Sequence, residues 1–135
     1  MSNNAIQSIE KTAAITNIQG VEAIAHAALS GDALLARSLT QDLLRSKPKW
    51  ADIACPAVTD APTLALAAAL LELFAARQAE QAPEWTRIVG ALPEPVYLLT
   101  AARTMKRLRE LCSQQSPEPL RRRNLFAPPN YLEMV

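Results

Sequence analysis

Apolar residues recur at helical spacing along most of the chain, and short breaks of polar residues, glycine or proline separate the stripes. The apolar positions 6, 9 and 13 predict a short first helix that ends near Gln19 and Gly20. Between Val21 and Leu29, apolar side chains fall three or four residues apart. This second stripe predicts a helix that packs one side against a core.

The tripeptide Ser30-Gly31-Asp32 predicts a tight turn after that helix. Glycine readily takes the left-handed conformation that ends many helices, and an aspartate side chain accepts hydrogen bonds from the free N–H groups of the next helix. We expect the second helix to run from Ala33 to Ser46 and to bury four side chains, Leu35, Ala36, Leu39 and Leu43. Residues 21–46 are therefore predicted to form a helical hairpin.

The most apolar part of the chain runs from Pro62 to Gln81 and predicts the central helix of the fold. Apolar side chains cover every side of this helix, and Glu72 interrupts the apolar run from Leu64 to Ala76. The preceding residues 48–62 have no period and contain three prolines. They predict a connector whose apolar side chains, Trp50 among them, cover the core.

Two further helices are predicted before the C-terminal segment. Pro83 begins a short helix that places on one face Trp85, Ile88, Val89 and Leu92. The prolines at positions 93 and 95 break it, and a last long helix follows. Its predicted core stripe is Leu98, Ala101, Ala102, Met105, Leu108 and Cys112, and its exposed side carries Arg103, Lys106, Arg107 and Glu110.

These patterns predict a single all-α domain, with a bundle of five to six helices over residues 1–116 and a C-terminal docking segment over residues 117–135. The segment holds four prolines and several bulky apolar residues. It is too irregular for a long helix and too apolar for a solvated tail. Two alternatives follow: the segment packs on its own bundle, inserting Leu125, Phe126, Tyr131 and Leu132, or it binds a partner protein.

Composition narrows the class of protein. The chain has 135 residues, 50% of them hydrophobic, and a formal net charge of +1, which suits one globular domain. Its longest apolar run is shorter than the roughly 20 residues that cross a bilayer, so no membrane span is predicted. No charged segment followed by an apolar one marks a secretory signal, and we expect a cytoplasmic protein.

Few residues are suited to catalysis or to binding a cofactor. The single histidine, His26, follows Glu22 by four residues, a spacing more typical of an exposed helical contact than of a catalytic base. Cys55 and Cys112 lie too far apart for a metal-ligand motif, and the three glycines form no phosphate-binding loop. We therefore expect no catalytic residue, no metal and no cofactor.

Charge is unevenly distributed along the chain. Residues 1–102 carry seven basic and ten acidic side chains, whereas residues 103–135 carry seven basic and three acidic ones. Such a basic cluster either binds the phosphates of a nucleic acid, holds an acidic protein, or pairs with carboxylates of its own domain. No aromatic residues interleave with the cluster in sequence, which disfavours a stacking platform for RNA.

Short motifs near the C-terminus carry a family resemblance. The motifs are Leu92-Pro-Glu-Pro, the run from Ser116 through Pro-Glu-Pro-Leu-Arg-Arg-Arg-Asn-Leu to Phe126, and Asn130-Tyr-Leu. They resemble those of small bacterial helical proteins that are similar to antitoxins of two-gene toxin–antitoxin modules. Some of these proteins are encoded beside nucleotidyltransferase-type toxins. The resemblance implies a non-catalytic protein that binds and restrains a toxin. The implied partner-binding residues are Arg121, Arg122, Arg123, Asn124, Phe126, Tyr131 and Leu132.

The alternative function is a nucleic-acid-binding accessory or regulatory protein. It would use the basic cluster, namely Arg103, Lys106, Arg107, Arg121, Arg122 and Arg123. Affinity that falls steeply with salt would mark this function, because bound cations release counterions from the phosphate backbone.

Overall fold

The chain folds into a small helical bundle, which a computed structural model describes over residues 20–57 and 60–134. The predicted first helix lies outside these residues. The described part contains five α-helices, α1 (20–29), α2 (Ala33–Arg45), α3 (Ala61–Arg77), α4 (Lys106–Gln115) and α5 (Glu118–Arg121). Three short 3₁₀ helices lie between them, at Trp50–Asp52, Glu84–Ile88 and Thr100–Arg103. The all-α class predicted from the sequence is confirmed.

The predicted helical hairpin is present as α1 and α2. Gly31 takes a φ of +80°, and a Cβ atom at this position would lie 3.2 Å from the Thr100 hydroxyl, so both backbone and space favour glycine. The Asp32 carboxylate accepts a hydrogen bond from the Leu35 N–H at 3.1 Å and caps α2. Local chemistry therefore sets this turn.

The buried side chains of α2 differ in part from the predicted ones, because the buried face of the helix is rotated slightly about the helix axis. Leu35 was expected in the core but is 46% exposed, whereas Thr40 is fully buried. The Thr40 hydroxyl donates to the Ala36 carbonyl at 2.7 Å, so the helix itself satisfies this buried polar group. Packing can therefore use Ala36, Thr40 and Leu43 as the inner face.

Helix α3 is the centre of the bundle, as predicted, although it is shorter than expected. The Asp60 carboxylate caps it by accepting from the Thr63 N–H at 3.0 Å. Buried residues lie on all sides of the helix, with Leu66, Leu70 and Leu71 fully buried. It ends at Arg77 rather than Gln81, because Ala79 takes a φ of +55° and the Glu80 N–H donates back to the Ala75 carbonyl. Among the described residues no helix is both long enough and apolar enough to cross a membrane.

The connector before α3 covers the core through an aromatic contact. Trp50 is 2% exposed and packs on Phe74 with ring centroids 5.9 Å apart. The Ile53 carbonyl accepts a hydrogen bond from the Trp85 indole at 2.8 Å and ties the connector to the next segment. Cys55, by contrast, is exposed.

The predicted α-helical stripe after Pro83 is wrong. The segment Glu84–Ile88 is a 3₁₀ helix with three residues per turn, so side chains at i and i+3 align instead of those at i and i+4. Pro83 and Thr86 are buried, whereas Ile88 is 86% exposed. Thr86 therefore takes the buried position that the sequence predicted for Ile88.

The prediction of one last long helix is also wrong, because this part of the chain forms three short elements: a strand, a 3₁₀ helix and α4. Strand β1 (Val96–Tyr97) pairs in parallel with β2 (Leu125–Phe126), and a 3₁₀ helix and α4 follow β1. The Arg109 side chain donates to the carbonyls of Ala102 and Arg103, which the end of the 3₁₀ helix leaves without helical partners. Met105, expected in the core, is 57% exposed at the break.

The C-terminal segment packs on its own bundle. Leu120 and Leu125 are fully buried, and the Ser116 hydroxyl accepts a hydrogen bond from the Ala127 N–H at 2.8 Å. The β1–β2 pairing adds backbone bonds from Val96 N–H to the Asn124 carbonyl and from Leu98 N–H to the Phe126 carbonyl. Residues 117–134 therefore complete the core instead of trailing from it.

Substitution of Leu70 by alanine tests the central role of α3. We expect Leu70→Ala to lower the free energy of unfolding by about 2–5 kcal/mol, because it leaves a cavity among fully buried side chains. Leu34→Ala is the matched control, since Leu34 is 81% exposed, and should change that free energy by less than about 0.5 kcal/mol. Equal effects in urea titrations of the two variants would contradict this placement of α3.

Candidate partner-binding surface

Helix α4 lies on the outside of the bundle and carries two residues of the predicted basic cluster, Lys106 and Arg107. Cys112 is its one buried residue, and Leu108 is half-buried. The remaining side chains on its first two turns are exposed, and among them are Lys106, Arg107 and Arg109. A helix with so little burial presents most of its surface to whatever lies outside the domain.

Three exposed cations at and just before the start of α4 form no ion pair with any residue that the structure describes. Arg103, Lys106 and Arg107 are exposed, and none has a carboxylate oxygen within 4.0 Å in residues 20–57 and 60–134. Across these residues ion pairs form only at Arg122 and Arg123, both with Glu72. Within the described residues, the alternative in which the domain's own carboxylates pair with the cluster therefore holds for Arg122 and Arg123 but not for these three cations.

Arg121 extends the basic surface to the other end of α4. It is exposed, and its guanidinium donates to the carbonyl of Gln114 at 3.2 Å. Helix α4 has ten residues and spans about 15 Å, so cations lie at both ends of one short helix. This contact brings together two groups of basic residues that are separated in the sequence.

An aromatic pair flanks the same helix. The rings of Tyr97 and Phe126 stack with centroids 5.4 Å apart, and the Tyr97 hydroxyl is hydrogen-bonded to Ser113 of α4 at 2.8 Å. Both rings are half-buried. This arrangement could not be predicted from the sequence, because Tyr97 reaches Phe126 through the β1–β2 pairing. We call the whole surface the α4 face, which comprises Tyr97, Arg103, Met105, Lys106, Arg107, Arg121 and Phe126.

Arg123, predicted to contact a partner, is instead buried at the centre of the domain. It is 1% exposed, and its guanidinium donates to both Glu72 carboxylate oxygens at 2.7 and 3.0 Å. The remaining donors bind the carbonyls of Thr86 at 2.8 Å, Pro119 at 2.9 Å and Val89 at 3.1 Å. All five N–H donors of the guanidinium are used within the chain.

Glu72 is the partner that sequence reasoning missed. It lies in the middle of α3, and Arg122 binds the same carboxylate from outside with its own side chain 45% exposed. Burial raises the pKa of Glu72, but the hydrogen bonds and charge of Arg123 outweigh burial and hold that pKa below its ordinary value. A lone carboxylate inside an apolar run was the available signal, because a buried charge requires a counter-charge.

The other predicted partner-binding residues also make contacts within the chain. The Asn124 side chain donates to the Leu92 carbonyl at 2.7 Å, and its backbone takes a φ of +63° that asparagine tolerates. Tyr131 is 9% exposed, and burial raises its pKa to about 12. Leu132 is half-buried against the core. Of the predicted set, Arg121 and Arg122 are exposed, Asn124, Phe126 and Leu132 are half-buried, and Arg123 and Tyr131 are buried.

Other reactive side chains are not gathered into a site. Within the described residues, no group of three or more His, Cys, Asp and Glu side chains is placed to hold a metal ion. Cys112 is fully buried, and burial raises the pKa of its thiol. His26 is exposed and forms no ion pair with Glu22 in the described part of the chain.

Comparisons of the chain with protein-family models, with curated proteins and with solved structures find no significant match. The chemistry of the described surface therefore carries the functional inference.

Replacement of Arg123 tests its role at the centre of the fold. We expect Arg123→Ala to lower the free energy of unfolding by about 3–5 kcal/mol, because it leaves three carbonyls without this donor and the Glu72 charge with only the surface contact to Arg122. Arg121→Ala removes one exposed side chain and serves as the control. If urea titrations give the two variants similar free energies of unfolding, the central role of Arg123 is wrong.

The lowered pKa of Glu72 predicts a pH dependence of stability. A carboxylate whose pKa is lower in the folded state stabilises the fold fully above its ordinary value near 4.5, and this contribution is lost as pH falls through the folded-state value. Glu72→Gln cannot ionise. The difference in unfolding free energy between the natural chain and Glu72→Gln should therefore be larger at pH 7 than at pH 3. A difference independent of pH in urea titrations would exclude a stabilising ionised Glu72.

Proposed function

We propose that this protein is a non-catalytic interaction module that binds an acidic surface of a partner protein through the α4 face. The C-terminal resemblance implies that the partner is a toxin and that binding neutralises it. The partner would place carboxylates against Arg103, Lys106, Arg107 and Arg121, and apolar groups against Met105 and the Tyr97–Phe126 pair.

The observation that carries this proposal is the combination of exposed cations and half-buried aromatic rings on and around α4. Arginine, tyrosine, phenylalanine and methionine are enriched in protein interfaces, whereas a purely solvated helix face is typically rich in lysine and glutamate. The α4 face holds three arginines, two aromatic rings and Met105, which is 57% exposed. Its composition is that of an interface core with a basic rim.

Hydrogen bonds to the backbone hold parts of this face in place. The Arg121 side chain is bound to the carbonyl of Gln114, and the backbone carbonyl of Arg103 is bound by the neighbouring Arg109 side chain. The Tyr97 ring is held between Ser113 and Phe126. Because these groups lose little freedom on binding, less entropy opposes association.

The buried residues of the C-terminal segment take a different role in this proposal. Arg123 and Asn124 bind groups within the domain and Tyr131 is buried, while Arg121 and Phe126 contact the partner. A chain ending at Gln115 would also lose Leu120 and Leu125 from the core. Truncation therefore cannot separate binding from folding, and point variants are needed.

The second candidate function is nucleic-acid binding by the same cations. It is favoured by the absence of carboxylates within 4.0 Å of Arg103, Lys106 and Arg107 among the described residues. The half-buried Tyr97–Phe126 rings lie beside them, but they stack on each other and offer limited area to a base. We therefore rank a protein partner first.

Charge reversal at Lys106 and Arg107 tests the proposed function. We expect Lys106→Glu/Arg107→Glu to weaken binding of the partner at least about tenfold, because two favourable contacts become repulsive. Arg37→Glu/Arg45→Glu on α2 is the matched control, since it changes net charge equally at exposed positions that are not part of the α4 face. The full chain and both variants serve as baits in the native host, with and without nuclease, and the captured protein is purified to measure its affinity.

The outcomes separate the candidates. The interaction module is supported by a protein that is still captured after nuclease treatment, is lost with Lys106→Glu/Arg107→Glu and is retained by the α2 control. Neutralisation is supported if that protein arrests growth when expressed alone and co-expression of the natural chain relieves the arrest. Equal affinity of the α4 variant and the natural chain would overturn binding at this face. A captured protein that does not arrest growth would overturn the neutralising role, and material released by nuclease would favour nucleic acid.

A further inference from the structure

A second accessible surface of the domain shares no residue with the α4 face. It is an apolar groove of about 390 Å³ between the start of α3 and residues 85–93. The side chains that shape it include Ala61, Leu64, Trp85, Ile88, Leu92 and Pro93. No Asp, Glu, Lys, Arg or His lines the groove among the described residues. We call it the Ile88 groove.

The 3₁₀ geometry of Glu84–Ile88 turns an apolar side chain out of the fold at this groove. With three residues per turn, Pro83 and Thr86 align on the buried side, and Trp85 aligns with Ile88. Trp85 is anchored by its hydrogen bond to Ile53, whereas Ile88 is 86% exposed. The surface therefore presents a protruding isoleucine beside a concave apolar wall.

Hydrogen bonds from buried Arg123 hold the backbone on both sides of Ile88. Arg123 donates to the carbonyls of Thr86 and Val89, on either side of Ile88 in sequence. Asn124 binds the Leu92 carbonyl, and the Leu92 N–H donates to the Arg123 carbonyl at 3.0 Å. A solvent-exposed isoleucine on a fixed backbone is suited to insertion into a partner surface at low entropic cost.

We propose that the Ile88 groove binds a second copy of this chain, so that each Ile88 enters the groove of the other subunit. A two-fold dimer places one patch against itself, which requires a protrusion and a recess within the same patch. The Ile88 groove has both. Its uncharged lining creates no repulsion between copies, whereas the cations of the α4 face would repel their own image.

Charges beside the groove fit an antiparallel arrangement of the two 3₁₀ helices. Glu84 and Arg87 are both exposed, and neither has an oppositely charged group within 4.0 Å in the described part of the chain. They lie three residues apart and so align along one side of the 3₁₀ helix. When two such helices cross antiparallel, Glu84 of each subunit faces Arg87 of the other.

Sedimentation velocity over a range of concentrations tests this dimer on the full chain. We expect the natural chain to dimerise and Ile88→Glu to raise the dissociation constant at least about tenfold. Leu34→Glu is the matched control, because Leu34 is 81% exposed and lies outside the groove. Circular dichroism and thermal unfolding check that each variant is folded. A natural chain that stays monomeric, or an Ile88→Glu dimer as tight as that of the control, would overturn the proposal.

Charge exchange tests the antiparallel arrangement. Glu84→Arg and Arg87→Glu should each weaken the dimer, since each places like charges opposite one another. The double variant Glu84→Arg/Arg87→Glu should recover most of the lost affinity, because it restores opposite charges across the two-fold. Failure of the double variant to recover would overturn this arrangement.

Discussion

The buried ion pair between Glu72 and Arg123 is the interaction on which the rest of the fold depends. Glu72 occupies the middle of the most buried helix, where an unpaired carboxylate would be costly, and Arg123 reaches it from 51 residues away. The same guanidinium satisfies three backbone carbonyls in two other segments. Such a pair adds little net stability over an apolar core, but breaking it is expensive. It therefore fixes how α3, the 3₁₀ helix at Glu84–Ile88 and the C-terminal segment fit together.

This constraint explains why an arginine- and proline-rich segment belongs to the domain. Arg123 can reach Glu72 only when α5 and β2 lie against α3, and Leu120 and Leu125 are buried in the process. The short parallel pairing of β2 with β1 then turns Phe126 onto Tyr97. Three consecutive arginines consequently take three different environments: Arg121 lies at the end of α4, Arg122 covers Glu72 at the surface, and Arg123 is inside.

The two accessible surfaces differ in ways that suit different partners. The α4 face is cationic and partly aromatic, so it favours an acidic partner and disfavours contact with its own copy. The Ile88 groove is uncharged and combines a protrusion with a recess, so it favours self-association. Arg123 and Asn124 contact the backbone of the groove, while Phe126 of the same segment contributes to the α4 face. Both surfaces depend on the docked C-terminal segment.

The sequence by itself determined the features that neighbouring residues control. Helical periodicity, the Gly31 turn and the aspartate caps at Asp32 and Asp60 involve hydrogen bonds or side-chain spacing within about four residues, and the all-α class follows from them. Tertiary structure alone decided the 3₁₀ geometry at Ile88, the break at Met105 and the burial of Arg123. The first and last of these involve contacts between segments that lie about 30 to 50 residues apart, such as Trp85 with Ile53 and Arg123 with Glu72. The break at Met105 involves the Arg109 side chain, which binds carbonyls six and seven residues before it. Glu72 within its apolar run shows that a counter-charge is required, but only packing selects which of the three arginines enters the core.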